Sequence, residues 1–107
     1  MTRRVALTGH ACTQAVARFP EISEFKQKFP SLWARALTAC AGCAEQSVEE
    51  HYLIDSGFLK GKLKTPFSTR PVPVYFAYRI RPDGVYEIRT ILDEAALAGD
   101  GARRHGG

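Results

Sequence analysis

The sequence predicts an α+β domain in which an N-terminal strand and a helical hairpin pack on a small antiparallel sheet. Three observations predict it. Apolar residues recur at helical spacing from residue 10 to about residue 52, the period drops to two between residues 59 and 92, and "DSGF" (55 to 58) divides the two regions. Helices followed by a run of strands is the order of a layered α+β arrangement, not of alternating βα units.

The elements follow in order. Arg4-Val5-Ala6-Leu7-Thr8 reads as a short strand. Thr8 or Gly9 then starts a helix through His10–Phe19, with Ala11, Ala15 and Val16 on one face. Pro20 suits the first turn of a second helix, "PEISEFKQKF", where Ile22, Phe25 and Phe29 share a face and Glu21 favours the positive helix start. Pro30 opens the longest helical pattern, to about Tyr52, with Leu32, Trp33, Ala36, Leu37, Cys40, Cys43 (or Ala44) and Val48 as its apolar stripe. Gly42 lies inside that pattern and marks a place where it can break.

In "LKGKLKT", Leu59, Gly61 and Leu63 alternate with Lys60, Lys62 and Lys64, the mark of a strand with one lysine-bearing face. "PFSTRPVP" is excluded as a central strand by Pro66, Pro71 and Pro73, which lack the donor a ladder needs. "VYFAYRIR" and "VYEIRTIL" are strands joined by "PDG", in which proline sets φ and glycine accepts φ > 0. Residues 1–94 therefore read as a single domain, and "AALAGDGARRHGG" (95–107), poor in large apolar residues, as a flexible C-terminal tail.

The totals narrow the class. At 107 residues, 45% hydrophobic and 24% charged, the composition is that of a globular domain, with no run of ~20 apolar residues to span a bilayer. Only Val5-Ala6-Leu7 follows Arg3 and Arg4, too little for a signal peptide, and three cysteines do not describe a secreted disulfide framework. A cytoplasmic protein is expected, with no membrane partner. A net charge of +4 and a pI near 9.2 favour an anionic partner.

A three-residue "PDG" loop pairs Arg81 with Val85, Arg79 with Glu87, Ala77 with Arg89 and Tyr75 with Ile91. The opposite face, carrying Val74, Phe76, Tyr78, Ile80, Tyr86, Ile88, Thr90 and Leu92, is then the core. Arg79 and Glu87 are placed for a cross-strand ion pair. If the lysine strand lies beside this hairpin, Lys60, Lys62, Lys64, Tyr75, Arg81 and Arg89 form a basic surface with an aromatic in it. Such a surface can hold phosphates and stack a base; it can equally be a solvated sheet face guarded by lysine.

"LKGKLKTPFSTRPVPVYFAYRIRPDGVYEIRTIL", residues 59 to 92, resembles the C-terminal half of the RelE/ParE toxin superfamily. Its features are a leucine-lysine-glycine strand (Leu59-Lys60-Gly61), an arginine (Arg70), a strand with a tyrosine-arginine pair (Tyr78-Arg79), a tight turn, and a final apolar strand. "RVALTGHA" and the helices after it resemble the opening strand and helical hairpin, more loosely. The resemblance implies a growth-inhibiting effector of toxin–antitoxin type, acting on RNA or the ribosome by metal-independent RNA cleavage, without cofactor and neutralised by an antitoxin protein. As an endoribonuclease it would use His10 as general base, Lys62, Lys64, Arg70 and Arg89 to stabilise charge, and Tyr75 to stack or donate a proton. Lys60, Lys62, Lys64, Arg79 and Arg81 would bind nucleic acid. The alternative within the resemblance is a non-catalytic inhibitor or interaction module, a gyrase poison of the ParE kind. It is motivated by Tyr75 standing where an arginine is common and by Asp93-Glu94 following the last strand.

Cysteine and histidine leave further alternatives. His10, Cys12, Cys40 and Cys43 supply the donors of a Cys₃His zinc site, which would make this a zinc-stabilised nucleic-acid-binding domain. Their layout echoes the zinc deaminase signature, but Cys12 occupies the place of the required glutamate and Ala39 that of the proline. A redox C-x-x-C should follow a strand, whereas Cys40 and Cys43 fall in a helical pattern on the side of Leu37 and Trp33, so core packing is the reading for both. Cys12 fits either role. His51 falls at a helix end and His105 in the tail, and neither has a supporting context.

Overall fold

In the computed structural model residues 2–46 and 58–96 are described. Among them the elements run β1 (Val5–Leu7), α1 (Gly9–Arg18), α2 (Pro20–Lys28), α3 (Trp33–Cys43), β2 (Glu45–Gln46), β3 (Phe58–Leu63), β4 (Val72–Ile80) and β5 (Tyr86–Leu92). The strands form one five-stranded sheet in the order β1-β5-β4-β3-β2. β2, β3, β4 and β5 pair antiparallel, and β1 adds to β5 in parallel, so the sheet is mixed. Parallel neighbours need a long crossover, and α1–α3 with β2–β4 supply it between β1 and β5.

The helices form where local chemistry starts and stops them. Thr8 is the N-cap of α1: its Oγ1 accepts from the Ala11 N–H at 3.1 Å and donates to the Ile88 carbonyl at 2.9 Å, so one hydroxyl both caps the helix and ties it to β5. Pro20 opens α2, with Glu21 in its first turn and Lys26 and Lys28 in its last, each on the favourable side of the helix dipole. The third helix is shorter than the sequence pattern. Residues 30 to 32 form a turn, α3 starts at Trp33, and it ends at Cys43 instead of continuing to Tyr52. Residues 44–46 of the expected helix are extended, and residues 47–52, with Val48 and His51, lie outside the described residues.

Arg3 explains why α3 stops there. Its Nη1 donates to the carbonyls of Ala41 at 2.9 Å and Ala44 at 2.6 Å, and its backbone N–H donates to the Gly42 carbonyl at 3.1 Å. The final carbonyls of α3 therefore have partners outside the helix, and a cation stands at its negative end. Ala44 turns to extended backbone, and Glu45 and Gln46 pair with Lys60 and Leu59.

The core lies between the helices and one sheet face. Ala11, Ala15, Phe19, Ile22, Leu37 and Ala41 pack on Leu59, Leu63, Val74, Phe76, Tyr78, Ile88 and Ile91. A smaller cluster of Phe58, Ala77 and Leu92, flanked by Tyr75 and Ala96, sits on the other face. The hairpin register explains the split. Arg79 pairs with Glu87 and Ile80 with Tyr86, but Ala77 pairs with Thr90 and Tyr75 with Leu92, so Arg89 is the extra residue of a bulge. The expected pairs Ala77 with Arg89 and Tyr75 with Ile91 are thus displaced by one. Past the bulge the alternation flips, sending Ile91 to the helix side and Leu92 to the other. Ile80, expected in the core, is 51% exposed because it lies beyond the reach of the helix layer.

Two further expectations are corrected. Leu32 is 50% exposed, since it belongs to the turn before α3 and not to its buried stripe. Pro73 lies within β4, opposite Lys62; β5 ends at Leu92 opposite Tyr75, so at Pro73 one side of β4 is open and its missing donor disrupts no ladder. At the far end, Gly84 takes φ +85° in the hairpin turn, as the "PDG" reading requires. The segment read as a tail begins in a helical turn at 94–96: Asp93 Oδ1 accepts from the Ala96 N–H at 2.7 Å, and Ala96 packs on the small cluster. Residues 97–107, including His105, lie outside the described residues.

Candidate nucleic-acid interface

The lysine strand does lie beside the hairpin. β3 pairs with β4 so that Lys60 faces Tyr75 and Lys62 faces Pro73. Leu59 and Leu63 are buried in the main core, so alternation sends Lys60 and Lys62 to the face opposite the helices. Among the described residues no helix of the main layer covers that face. The Phe58 ring meets Tyr75 edge-on, with centroids 6.0 Å apart, and the Lys60 ammonium stands 5.8 Å from the Phe58 centroid. Phe58 is buried, so its ring is a floor; Tyr75, half-buried, is the aromatic that reaches the surface. The Tyr75 hydroxyl donates to Glu94 Oε1 at 3.2 Å. Glu94 is thus an acidic member of this surface that strand periodicity could not find, because it sits after the last strand.

The other cations are dispersed. Arg79 is exposed and is the cross-strand partner of Glu87, yet no ion pair joins their side chains, because both groups remain near water, where such a pair gains little. Arg81 instead bonds Asp83 Oδ2 at 3.0 Å within the turn, at the end of β4 remote from Lys62. Arg89 is exposed on the bulge, two strands from β3. Lys64 is exposed just beyond β3. Arg70 is exposed in the β3–β4 loop, where it lines a cavity of about 320 Å³ with Glu21, Phe67, Ser68, Thr69 and Val72.

His10 does not join them. It is exposed on the first turn of α1, which packs over β5 on the helix face, while Lys60 and Lys62 lie two strands away on the opposite face. Tyr75, Lys60 and Lys62 form one contiguous group, and His10, Arg70 and Arg89 stand in three other places. A proton transfer shared by His10 and Tyr75 would have to cross the sheet, so the six residues expected as one catalytic set are not gathered into one.

Nor do the four zinc-type donors converge. Among the described residues no group of three or more His, Cys, Asp or Glu side chains can hold a metal ion. All three cysteines are free thiols, and Cys43 is exposed, not in the core as expected, because the chain leaves the helix immediately after it. Cys40 is half-buried against β3. Burial pushes its thiol up to about 11, the neighbouring Cys43 adds to the shift, and a hydrogen bond from the Lys62 backbone opposes it. A thiol held neutral is a poor nucleophile and a poor metal ligand, so Cys40 serves packing.

Fold and surface together define a small α+β protein with a mixed sheet, helices on one face and a lysine–tyrosine group on the other. No protein-family model, no curated protein and no solved structure matches this chain. No helix among the described residues is long and apolar enough to cross a membrane.

Proposed function

We propose that this protein is a growth-inhibiting effector of toxin–antitoxin type, similar to the RelE/ParE toxins, that acts in the cytoplasm by binding RNA or the ribosome. The observation that carries the reading is the pairing of Lys60 with Tyr75 and Lys62 with Pro73, which sets two cations and an aromatic side by side on the sheet face away from the helices. Cations at successive positions suit a phosphate chain, and the tyrosine suits a base. The order of elements, with an opening strand, a helical layer and a three-stranded meander closed by a tight turn, agrees with what the resemblance implies.

The dispersal of His10, Arg70 and Arg89 favours inhibition by binding over self-contained cleavage. Induced expression in a bacterial host tests this, with growth, protein synthesis and transcript ends followed in parallel. Wild-type protein is expected to arrest growth and translation, and Lys60→Ala/Lys62→Ala to remain folded by circular dichroism and lose the arrest. Undiminished arrest by that variant would sink the reading. His10→Ala is expected to leave the arrest intact; new transcript ends that vanish with His10→Ala would restore the endoribonuclease alternative.

A second reading, a protein-directed inhibitor of the gyrase-poison kind, is favoured by Phe29 and Leu32, 39% and 50% exposed at the α2–α3 turn. Exposed large apolar side chains three positions apart suit a protein partner. It predicts that Phe29→Ser/Leu32→Ser abolishes arrest and the lysine variant does not, with DNA damage preceding the loss of translation.

A further inference from the structure

An open depression of about 320 Å³ lies between α2 and the β3–β4 loop. Thr65, a buried polar residue at the start of that loop, ties Phe67 and Ser68 in place. Its Oγ1 lies 2.8 Å from Ser68 Oγ and accepts from the Phe67 N–H at 3.3 Å, while its carbonyl accepts from the Ser68 N–H at 3.3 Å. A loop tied down in this way presents the residues that follow with little ordering left to lose on binding.

Glu21, from the first turn of α2, and Arg70, from the loop, carry opposite charges and line the same cavity. Among the described residues neither side chain makes a hydrogen bond or an ion pair, with the other or with any third group. Opposite charges held apart across one cavity match a ligand with a donor edge at one end and an anion at the other. Phe67 offers such a ligand an aromatic wall, and the Ser68 and Thr69 hydroxyls offer donors; where Thr65 donates to Ser68, the Ser68 hydrogen remains available. Lys28 stands 5.2 Å from the Phe67 centroid and is ion-paired with Glu24 at 3.8 Å, so it adds no net charge to the site.

We propose that this cavity binds a guanine nucleotide, with Glu21 accepting from the guanine N1–H and exocyclic amine, Phe67 lying along the base, and Arg70, Ser68 and Thr69 holding the phosphate. Guanine is the nucleobase whose pairing edge sets two donors side by side to match the two oxygens of a carboxylate. Adenine and cytosine present one amino group beside an acceptor, which the same carboxylate repels. The ligand is a free nucleotide or a guanine within single-stranded RNA; the second case rests on the RNA-binding reading above.

Calorimetric titration of the full chain with guanosine 5′-monophosphate tests the inference, with adenosine and cytidine 5′-monophosphates and inorganic phosphate as comparisons. Saturable binding is expected, with guanosine 5′-monophosphate preferred by about tenfold or more, as a bidentate contact to a base edge gives. Arg70→Ala is expected to weaken all three nucleotides alike. Glu21→Gln should erase the guanosine preference while phosphate-driven binding persists, and circular dichroism confirms that both variants fold. A short single-stranded oligoribonucleotide with one guanine binds more tightly than the mononucleotide if the source is RNA, and no more tightly if it is a free nucleotide. Equal binding of the three nucleotides, binding of phosphate alone, or a guanosine preference that survives Glu21→Gln overturns the proposal. Lys60→Ala/Lys62→Ala is expected to keep guanosine 5′-monophosphate binding, so the failure of the lysine face and the failure of this cavity are told apart.

Discussion

Gly61 of β3 lies directly beneath the Cys40 sulfur of α3. A Cβ at Gly61 would stand 2.9 Å from Cys40 Sγ and 3.1 Å from the Phe76 ring, so α3 rests on this strand as closely as the missing side chain allows. Lys60 and Lys62 flank the glycine and point to the other face. The contact between helix and glycine therefore sets the level of the strand that carries the lysines.

Gly61→Ala is expected to destabilise the protein by about 1–3 kcal/mol, the usual effect of overfilling a packed core. Thermal melting measures it, as a fall of several degrees for a chain of this size. Cys40→Ala in the same chain should recover part of the loss, because it removes the closest atom. An equal loss with and without Cys40→Ala would show that Phe76, and not the sulfur, limits the approach.

Cys40 and Cys43 should differ sharply in reactivity. Cys43 is exposed, while the Cys40 thiol is pushed up to about 11, so at pH 8 iodoacetamide is expected to label Cys43 first and Cys40 only after unfolding. The same shift makes stability depend on pH. Above the ordinary thiol value the unfolded chain releases the proton that folded Cys40 still holds, so the unfolded state binds fewer protons and stability falls as pH rises. The fall runs from the ordinary value of 9.0 to about 11. Denaturant midpoints across that range should lose this slope in Cys40→Ala.

Removing the Arg3 side chain should loosen the end of α3. Its guanidinium serves the Ala41 and Ala44 carbonyls, so Arg3→Ala is expected to lower stability by about 1.5–3 kcal/mol, the range for hydrogen bonds to a charged group. Amide exchange should quicken first at Ala41 to Ala44. Arg3→Lys should restore only part of the loss, since one ammonium cannot reproduce the fork.

Salt dependence reads the lysine face directly. If Lys60 and Lys62 each contact a phosphate of single-stranded RNA, the slope of log K against log salt should flatten by about 0.7 for each lysine replaced by alanine. Tyr75→Ala should weaken binding without altering that slope, because stacking displaces no counterions. A slope unchanged in the double lysine variant excludes phosphate contacts at this strand.

Much of the fold was legible in sequence because it depends on local periodicity and punctuation. Thr8 and Pro20 announced two helices, and the alternation of Leu59, Gly61 and Leu63 with lysines announced both a strand and its two faces. "PDG" announced the turn. The bulge at Arg89 was missed: in "VYEIRTIL" the adjacent polar pair Arg89-Thr90 and the adjacent apolar pair Ile91-Leu92 mark a break in alternation, but the residue that bulges is fixed only by contact with β4. The candidate cavity was hidden for a similar reason: Glu21 reads as a helix-start residue and Arg70 as a loop cation, and 49 positions separate them.

Local spacing and charge were enough to place α1, α2 and the strands β1, β3, β4 and β5, to put Lys60 and Lys62 on one face, and to make the chain basic. These follow from side-chain spacing and charge, which are properties of neighbours along the chain. Long-range contacts set where α3 ends, which residues of β5 face the helices, that Tyr75 stands beside Lys60, and that His10 does not. Each of those depends on partners far apart in sequence: Arg3 on the carbonyls of α3, β4 on the bulge of β5, and the sheet order on the crossover from β1. Such contacts form when segments meet in three dimensions, and no local period encodes them.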